Sequence, residues 1–262
     1  MERRRDSPFG KPYILEDAQW RYLHFSPAHL QSVMRIDDPD ALDLRYTKKM
    51  MGFLLFQPRP THVMLLGLGG GSLAKYCYRH LPKARISVVE IDPHVIALRE
   101  HFMIPKDDVR FHVICGDGAR YIAAQGHPID VLLVDAFDVK GLAKSVTDRS
   151  FLQAARSRLA PDGVFVMNLA GDKASYTPLI ADAAMIFEHQ TWVIPVSNDG
   201  NHILFAFKNP QLDPSWRRLR ARAKELRARY QLDFPWLVQL LERTSRRATM
   251  PTKRLDQPPS SS

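Results

Sequence analysis

Four acidic residues stand where apolar runs end. Glu90 closes RISVVE, Asp117 follows FHVIC in CGDGARY, and Asp135 and Asp138 follow IDVLLV in VDAFD. In an open α/β sheet the ligand sits beyond the carboxyl ends of the strands. Glu90 lies about twenty residues past a glycine cluster, the distance at which a nucleotide-binding α/β unit places an acid to accept from ribose hydroxyls. The glycines are Gly67, Gly69, Gly70 and Gly71. Asp117, beside Gly118, is suited to accept from an adenine amino group while nearby backbone N–H groups meet the ring. Taken singly, each acid can be a surface carboxylate ending a strand. Three successive strands ending this way after a glycine turn point to an adenosine site. Asp135 and Asp138 form a pair where an attacking or departing group would sit. Such carboxylates can hold a cationic amine and accept its proton. An alkylamine, with a pKa of about 10.4, must lose a proton before it attacks. Paired acids favour the ammonium form, so a proton exit is also needed. The alternative for Asp138 is the cap of a loop or helix.

The elements that must position these residues follow from the pattern. THVMLLGLGGG, residues 61–71, reads as a strand entering a tight turn, with a helix over 72–80 beyond it. Glycines let the backbone turn sharply and let a ligand approach without meeting a Cβ. The helix start beyond them offers unpaired N–H groups. Strands are predicted over 62–67, 85–91, 109–115, 129–135 and 163–169, separated by helices over 72–80, 93–102, 118–124 and 148–159. Near-continuous apolar strands between helices imply a parallel sheet covered on both faces. A helix over about 173–188 precedes TWVIPVS and HILFAFK, two strands joined at Asn198-Asp199-Gly200-Asn201 into an antiparallel edge hairpin. That order resembles the class I methyltransferase-like domain, a doubly wound, mostly parallel seven-stranded α/β sheet. Short alternating strands over 12–35 suggest a small β-hairpin unit, followed by a helix from Ala41 to Phe56. Asp213-Pro214 opens a C-terminal helix and Trp236–Arg243 forms a second. The expected division is 1–56 hairpin unit and linking helix, 57–208 Rossmann-like domain, 209–245 basic helical extension and 246–262 disordered tail.

Composition sets outer bounds. The 262 residues, 45% hydrophobic and 25% charged, suit a soluble globular protein able to bury a real core. No apolar run approaches membrane-spanning length. The basic start MERRRDSPFGK lacks the apolar stretch of a signal peptide, so the cytoplasm is the expected compartment. Cys77 and Cys115 lack metal-ligand spacing and read as buried free thiols. No metal is expected. The formal net charge of +9 is uneven: residues 209–262 hold 12 Lys and Arg against 5 Asp and Glu. The basic character therefore belongs to the extension. Trp216 and Trp236 imply that the extension docks on its own core or a partner subunit; binding of nucleic acid or another anionic surface is the alternative.

GLGGG, VVEIDP, CGDGARY and VDAFD, in this order and spacing, resemble the spermidine/spermine synthase family of polyamine aminopropyltransferases. The resemblance runs from about residue 12 to about 208. It implies transfer of an aminopropyl group from decarboxylated S-adenosylmethionine to an amine, with methylthioadenosine as by-product, and a homodimer. It implies that Glu90 binds the ribose, Asp117 the adenine, and Gln31 the donor from the hairpin side. Asp135 becomes the catalytic carboxylate, Asp138 orients the acceptor amine, and Tyr46 lies on the acceptor side. Four positions depart from the family pattern. Gly70 replaces an aspartate that meets the donor's amine, Lys48 replaces the acid of a Tyr-x-Glu signature, Val139 replaces a proline, and Ser197 replaces a tyrosine. Glycine at 70 removes a charge that would repel the carboxylate of intact S-adenosylmethionine, so methyl transfer on the same scaffold stays open. Lys48 adds positive charge on the acceptor side unless it points away. A non-catalytic adenosyl-ligand or nucleic-acid-binding protein is a further alternative, though binding alone does not need Asp135 and Asp138. A nicotinamide-dependent dehydrogenase would leave Asp117 and the acid pair without a role.

Overall fold

The computed structural model describes residues 11–248 apart from 27–28, 139–140, 198–199 and 213–214. The disordered tail expected over 246–262 starts too early, since 246–248 are helical, and its remainder lies outside the described residues, as do the turn residues Asn198 and Asp199, Val139, and the Asp213-Pro214 helix start.

The chain opens with β1 (Tyr13–Glu16), β2 (Trp20–Ser26) and β3 (His29–Arg35), an antiparallel three-stranded sheet. A short helix α1 (Arg45–Met50) continues as a 3-10 turn, Met51–Leu55. Then come β4 (His62–Leu66), α2 (Ser72–His80), β5 (Arg85–Glu90), α3 (Pro93–Ala97), β6 (Phe111–Cys115), α4 (Gly118–Ala123) and β7 (Ile129–Val134). A two-stranded ribbon, β8 (Phe137–Asp138) and β9 (Gly141–Leu142), leads to α5 (Arg149–Arg158), β10 (Leu159–Leu169) and α6 (Lys173–Ile186). The edge hairpin β11 (Thr191–Pro195) and β12 (His202–Phe207) precedes α7 (Trp216–Tyr230) and α8 (Phe234–Ala248).

The main sheet has seven strands in the order β11-β12-β10-β7-β4-β5-β6. β4, β5, β6, β7 and β10 are parallel, and β12 runs against both β10 and β11. Successive residues of a strand face opposite sides of the sheet, and the central strands are apolar on both. Val63, Leu65, Val131, Leu133, Val164 and Val166 join one core with α2, α7 and α8. Met64, Leu66, Leu132, Val134, Phe165 and Met167 join the other with α5 and α6. The doubly wound α/β expectation is therefore met on both faces.

The chain runs outward from β4 through β5 to β6, then returns to the other side of β4 as β7. This reversal makes β4 and β7 the switch point, where a crevice opens beyond the strand ends. Gly67 follows β4 and Asp135 follows β7. The Asp135 N–H donates to the Leu66 carbonyl at 2.9 Å, and a Cβ on Gly67 would strike the Asp135 carbonyl. The positive φ of 95° at Gly67 completes the reason only glycine fits there.

Several local expectations need correction. The helix drawn over 41–56 is helical only from Arg45, because Asp38 and Asp40, placed to cap an earlier start, are spent elsewhere. Asp38 pairs with Arg35 and Asp40 with Arg79, and no side chain caps α1. Gly52 then lets the 3-10 turn press against Leu237 and Phe205. The helix drawn to 102 ends at Ala97, and the Phe102 carbonyl turns instead to the ammonium of Lys75 at 2.7 Å. β6 begins at Phe111 because the Asp108 carboxylate takes the N–H groups of Arg110 and Phe111. β10 begins four residues before 163, irregular between Leu159 and Val164. The second C-terminal helix spans Phe234–Ala248, longer than expected. Cys77 is buried, its thiol pushed up to about 12 by burial, but Cys115 is exposed.

The extension docks on its own domain. Leu219, Ala223, Leu226 and Tyr230 of α7 are buried in the core. Trp216 meets Trp192 at 5.8 Å between ring centroids, and the Tyr76 hydroxyl donates to the Tyr230 carbonyl at 2.7 Å. Trp236 stays 41% exposed with the Lys49 ammonium 4.7 Å above its ring.

Candidate active site

A cavity of about 690 Å³ opens at the switch point, a size suited to a nucleoside-sized ligand. Gln31, Tyr46, Gly67, Gly69, Glu90, Gly118 and Asp135 line it, as do Ser32, Thr47, Asp92, Lys144, Asn168 and Asn201. Among these described residues three acids face a single base, Lys144, so the lining favours a cationic ligand. No helix is long and apolar enough to cross a membrane among the described residues.

The wall along the glycine turn is built largely from backbone. Glu90 is buried, and its carboxylate accepts from the Leu68 N–H at 2.8 Å and the Asp92 N–H at 2.9 Å. The side chain therefore holds the glycine turn in shape. Burial pushes its pKa up, and those N–H groups pull it back. Its two oxygens offer about four lone-pair sites, and the backbone N–H groups of Leu68 and Asp92 take two of them, with the Ile91 N–H also turned to the carboxylate. Asp117 caps α4, accepting from the Arg120 N–H at 2.9 Å, and so sets the start of the helix whose first residue, Gly118, lines the cavity. Gly70 and Gly71 do not reach the lining. A Cβ at Gly70 would lie 2.6 Å from Ser32 Oγ and 3.0 Å from Phe102, and one at Gly71 would strike Ile104. Their contribution is to close the turn against β3 and the segment after α3.

The wall around Asp135 is built from side chains. Asp135 Oδ2 accepts from the Tyr46 hydroxyl at 3.0 Å, and Oδ1 accepts from Asn168 Nδ2 at 2.9 Å. Burial pushes the Asp135 carboxyl up; the Asn168 and Tyr46 donors counter it. Burial and the neighbouring charge hold Tyr46 well above its ordinary value, so it stays protonated and donates. Asp138 belongs to β8 by its backbone, and its side chain lies outside the described residues. Lys48 is exposed, and its charge acts on Asp43. It points away from the cavity, which removes the objection to a cationic acceptor. Ser197 is exposed and its carbonyl accepts from Arg45 at 3.1 Å. Asn168 was legible as a polar residue interrupting the apolar strand VFVMNL, at the same strand-end position as the acids. Asn201 carried no comparable signal.

The spermine/spermidine synthase domain matches this chain over residues 43–190. A polyamine aminopropyltransferase of Chromobacterium violaceum is 37% identical over 234 residues, covering 88% of this chain and 89% of the relative. The chain belongs to the spermine/spermidine synthase family. Its fold is that of the family too. A probable spermidine synthase from Corynebacterium glutamicum superposes with a TM-score of 0.69 at 19% identity, covering 96% of this chain and all of the other. Human methyltransferase-like protein 13, solved with SAH, superposes at 0.63 and 25% identity, covering 81% of this chain and 97% of the other. The family scaffold thus carries both aminopropyl-transferase and methyltransferase names.

Proposed function

We propose that this chain is a transferase that moves an aminopropyl group from decarboxylated S-adenosylmethionine to an amine, a step of polyamine biosynthesis. The observation that carries this reading is Asp135, held between Tyr46 and Asn168 where the carboxyl ends of β4 and β7 meet. Glu90 meets the ribose hydroxyls with its remaining lone pairs. Asp117 and the backbone around Gly118 meet the adenine, and Gln31 closes over the donor from β3. The acceptor amine enters as an ammonium, gives up a proton to the Asp135 carboxylate, which passes it on to solvent, and then attacks the donor's aminopropyl carbon. A C–N bond forms, the C–S bond breaks, its electron pair neutralises the sulfonium, and methylthioadenosine leaves. Asp135 accepts hydrogen bonds from the amine and stabilises the positive charge that develops on it. Asp138 orients the acceptor's other groups.

One observation favours a second reading, in which the donor is intact S-adenosylmethionine and a methyl group is transferred. Position 70 is closed by Ser32 and Phe102, so the turn has neither an acid nor room for one. Nothing in the turn then opposes a donor carboxylate. Calorimetric titration with the two donors side by side, followed by an amine screen that detects methylthioadenosine, decides between them. Preference for the decarboxylated donor with methylthioadenosine release supports aminopropyl transfer. Preference for the intact donor, with S-adenosylhomocysteine as product, overturns it in favour of methyl transfer.

A further inference from the structure

Asp135 is tied to the edge hairpin through two amides. Asn168, only 2% exposed, ends β10 in the second strand over from β4. Its Nδ2 donates to Asp135 Oδ1 at 2.9 Å, and its Oδ1 accepts from Asn201 Nδ2 at 3.2 Å. Asn201 precedes β12 and is fixed by its carbonyl, which accepts from the Val196 N–H at 2.7 Å across the hairpin turn. The direction of this chain is dictated by chemistry. An ionised carboxylate only accepts, so Asn168 must present its NH2 to Asp135. The Asn168 oxygen then needs a donor, and Asn201 must turn its own NH2 inward. Among the described residues both amides bond to side chains, unlike a buried asparagine that merely completes a sheet. Both line the cavity.

We propose that Asn168 and Asn201 are positioning residues for the transfer step, a polarised two-amide relay that fixes the Asp135 carboxylate from the edge hairpin. The relay rests on the reading of Asp135 as the carboxylate that meets the acceptor. An acceptor seated against the hairpin turn thereby meets a carboxylate whose orientation and charge are already set. Tyr46 holds one oxygen from the linking helix, and the relay holds the other from the opposite side.

Two variants and their combination test this. Asn168→Ala removes a hydrogen bond to a charged group, and such a bond is worth roughly a tenfold to hundredfold change in rate. The expected result is a fall of that size in kcat, with donor affinity unchanged within about twofold, and an acid limb of the pH–rate profile moved to higher pH. Asn201→Ala moves both readouts the same way by less. The double variant matches Asn168→Ala alone, because Asn201 acts only through Asn168. Carbon-13 titration of the Asp135 carboxyl in donor-free protein reads the relay without turnover, and near-UV circular dichroism confirms an intact fold. A higher midpoint in Asn168→Ala supports the relay even if neither sulfonium donor is turned over, in which case only the functional reading falls. An unmoved midpoint with the acid limb unchanged, or losses that simply add in the double variant, overturns the relay while leaving the transferase reading standing.

Discussion

The two halves of the cavity are made differently. The donor half is local and backbone-built: a glycine turn, a carboxylate that holds it, and a helix start, each set within one strand–turn–helix unit. Glu90 reaches back only 22 residues to the Leu68 N–H. The acceptor half is assembled from side chains on four separate elements. Tyr46 and Asp135 are 89 residues apart, and Asp135 and Asn168 are 33 apart. Backbone geometry resists substitution as a unit, whereas a constellation of side chains can be altered one residue at a time. On the resemblance, three of the four expected departures, at positions 48, 139 and 197, fall outside the backbone-built half, and the fourth, Gly70, falls in the glycine turn itself. The halves should therefore respond to different experiments, donor affinity reporting on one and turnover on the other.

The largest expected effect separates them outright. Asp135→Asn keeps the shape and removes the charge that, on the proposed reading, meets the acceptor. Turnover should fall by about a hundredfold or more, the lower range of a lost acid–base group, while donor affinity measured by calorimetry stays within a few-fold. A parallel collapse of donor affinity would show that the halves are not separable.

The next effect probes what lies behind the donor half. Lys75 is 1% exposed, and its ammonium donates to the carbonyl of Phe102, whose ring backs the glycine turn. Burial lowers its pKa from the usual 10.5 to about 8. Between those values the unfolded chain binds the proton and the folded chain does not. Stability therefore rises as pH climbs from 8 towards 10, by about 3 kcal/mol at most. Above 10 the buried tyrosines, held protonated by the fold, oppose the gain. Urea denaturation across pH 7.5–10 should show the rise, and Lys75→Met should be more stable at pH 7.5 and lose most of the slope. An equal slope in both proteins would exclude Lys75 as its source.

How far each half could be read from the sequence follows the same division. The sheet, its order of strands and helices, and the strand-end acids are legible because apolar runs and glycine turns are contiguous signals. Asp117 and Gly118 are legible as a motif for that reason. What the pattern does not carry is which apolar helix residue turns a hydroxyl towards Asp135, or which asparagines meet beyond β10. Those depend on packing of the linking helix and the edge hairpin onto the sheet. The same limit produced the error at 41–56, where a pair to Arg79 of α2 and a local pair to Arg35 withdrew the acids that would have capped an earlier helix start. Gly70 shows the limit from the other side. The sequence marks it as a missing charge, and only the packing of Ser32 and Phe102 shows that the space is closed as well.

Glu90→Gln tests whether the donor half depends on charge or only on shape. The amide can keep one of the two backbone N–H contacts, but it turns an NH2 towards the other. It also offers the ribose hydroxyls a neutral acceptor. Hydrogen bonds to charged groups are worth about 1.5–3 kcal/mol, so donor affinity should fall roughly tenfold to a hundredfold, with the rate at saturating donor little changed. Unchanged affinity would remove Glu90 from the donor site and leave it as a turn-holding residue only.

The smallest effect sharpens the acceptor half. Tyr46→Phe deletes one donor to Asp135 Oδ2 and leaves the ring in place. The lost bond is to a carboxylate that still keeps the Asn168 donor on its other oxygen. Of the two donors that counter burial at Asp135, Asn168 is the stronger and Tyr46 the weaker, so the loss should be about tenfold or less in kcat. The sign of the pH effect is fixed: a donor to the ionised form is removed, the Asp135 carboxyl rises, and activity falls away at a higher pH on the acid side. Donor affinity should not move, because the hydroxyl donates to the Asp135 carboxylate and not to the glycine-turn wall. An acid limb that stays put in Tyr46→Phe but moves in Asn168→Ala would assign the charge of Asp135 to the amide side alone and leave Tyr46 as part of the acceptor's wall.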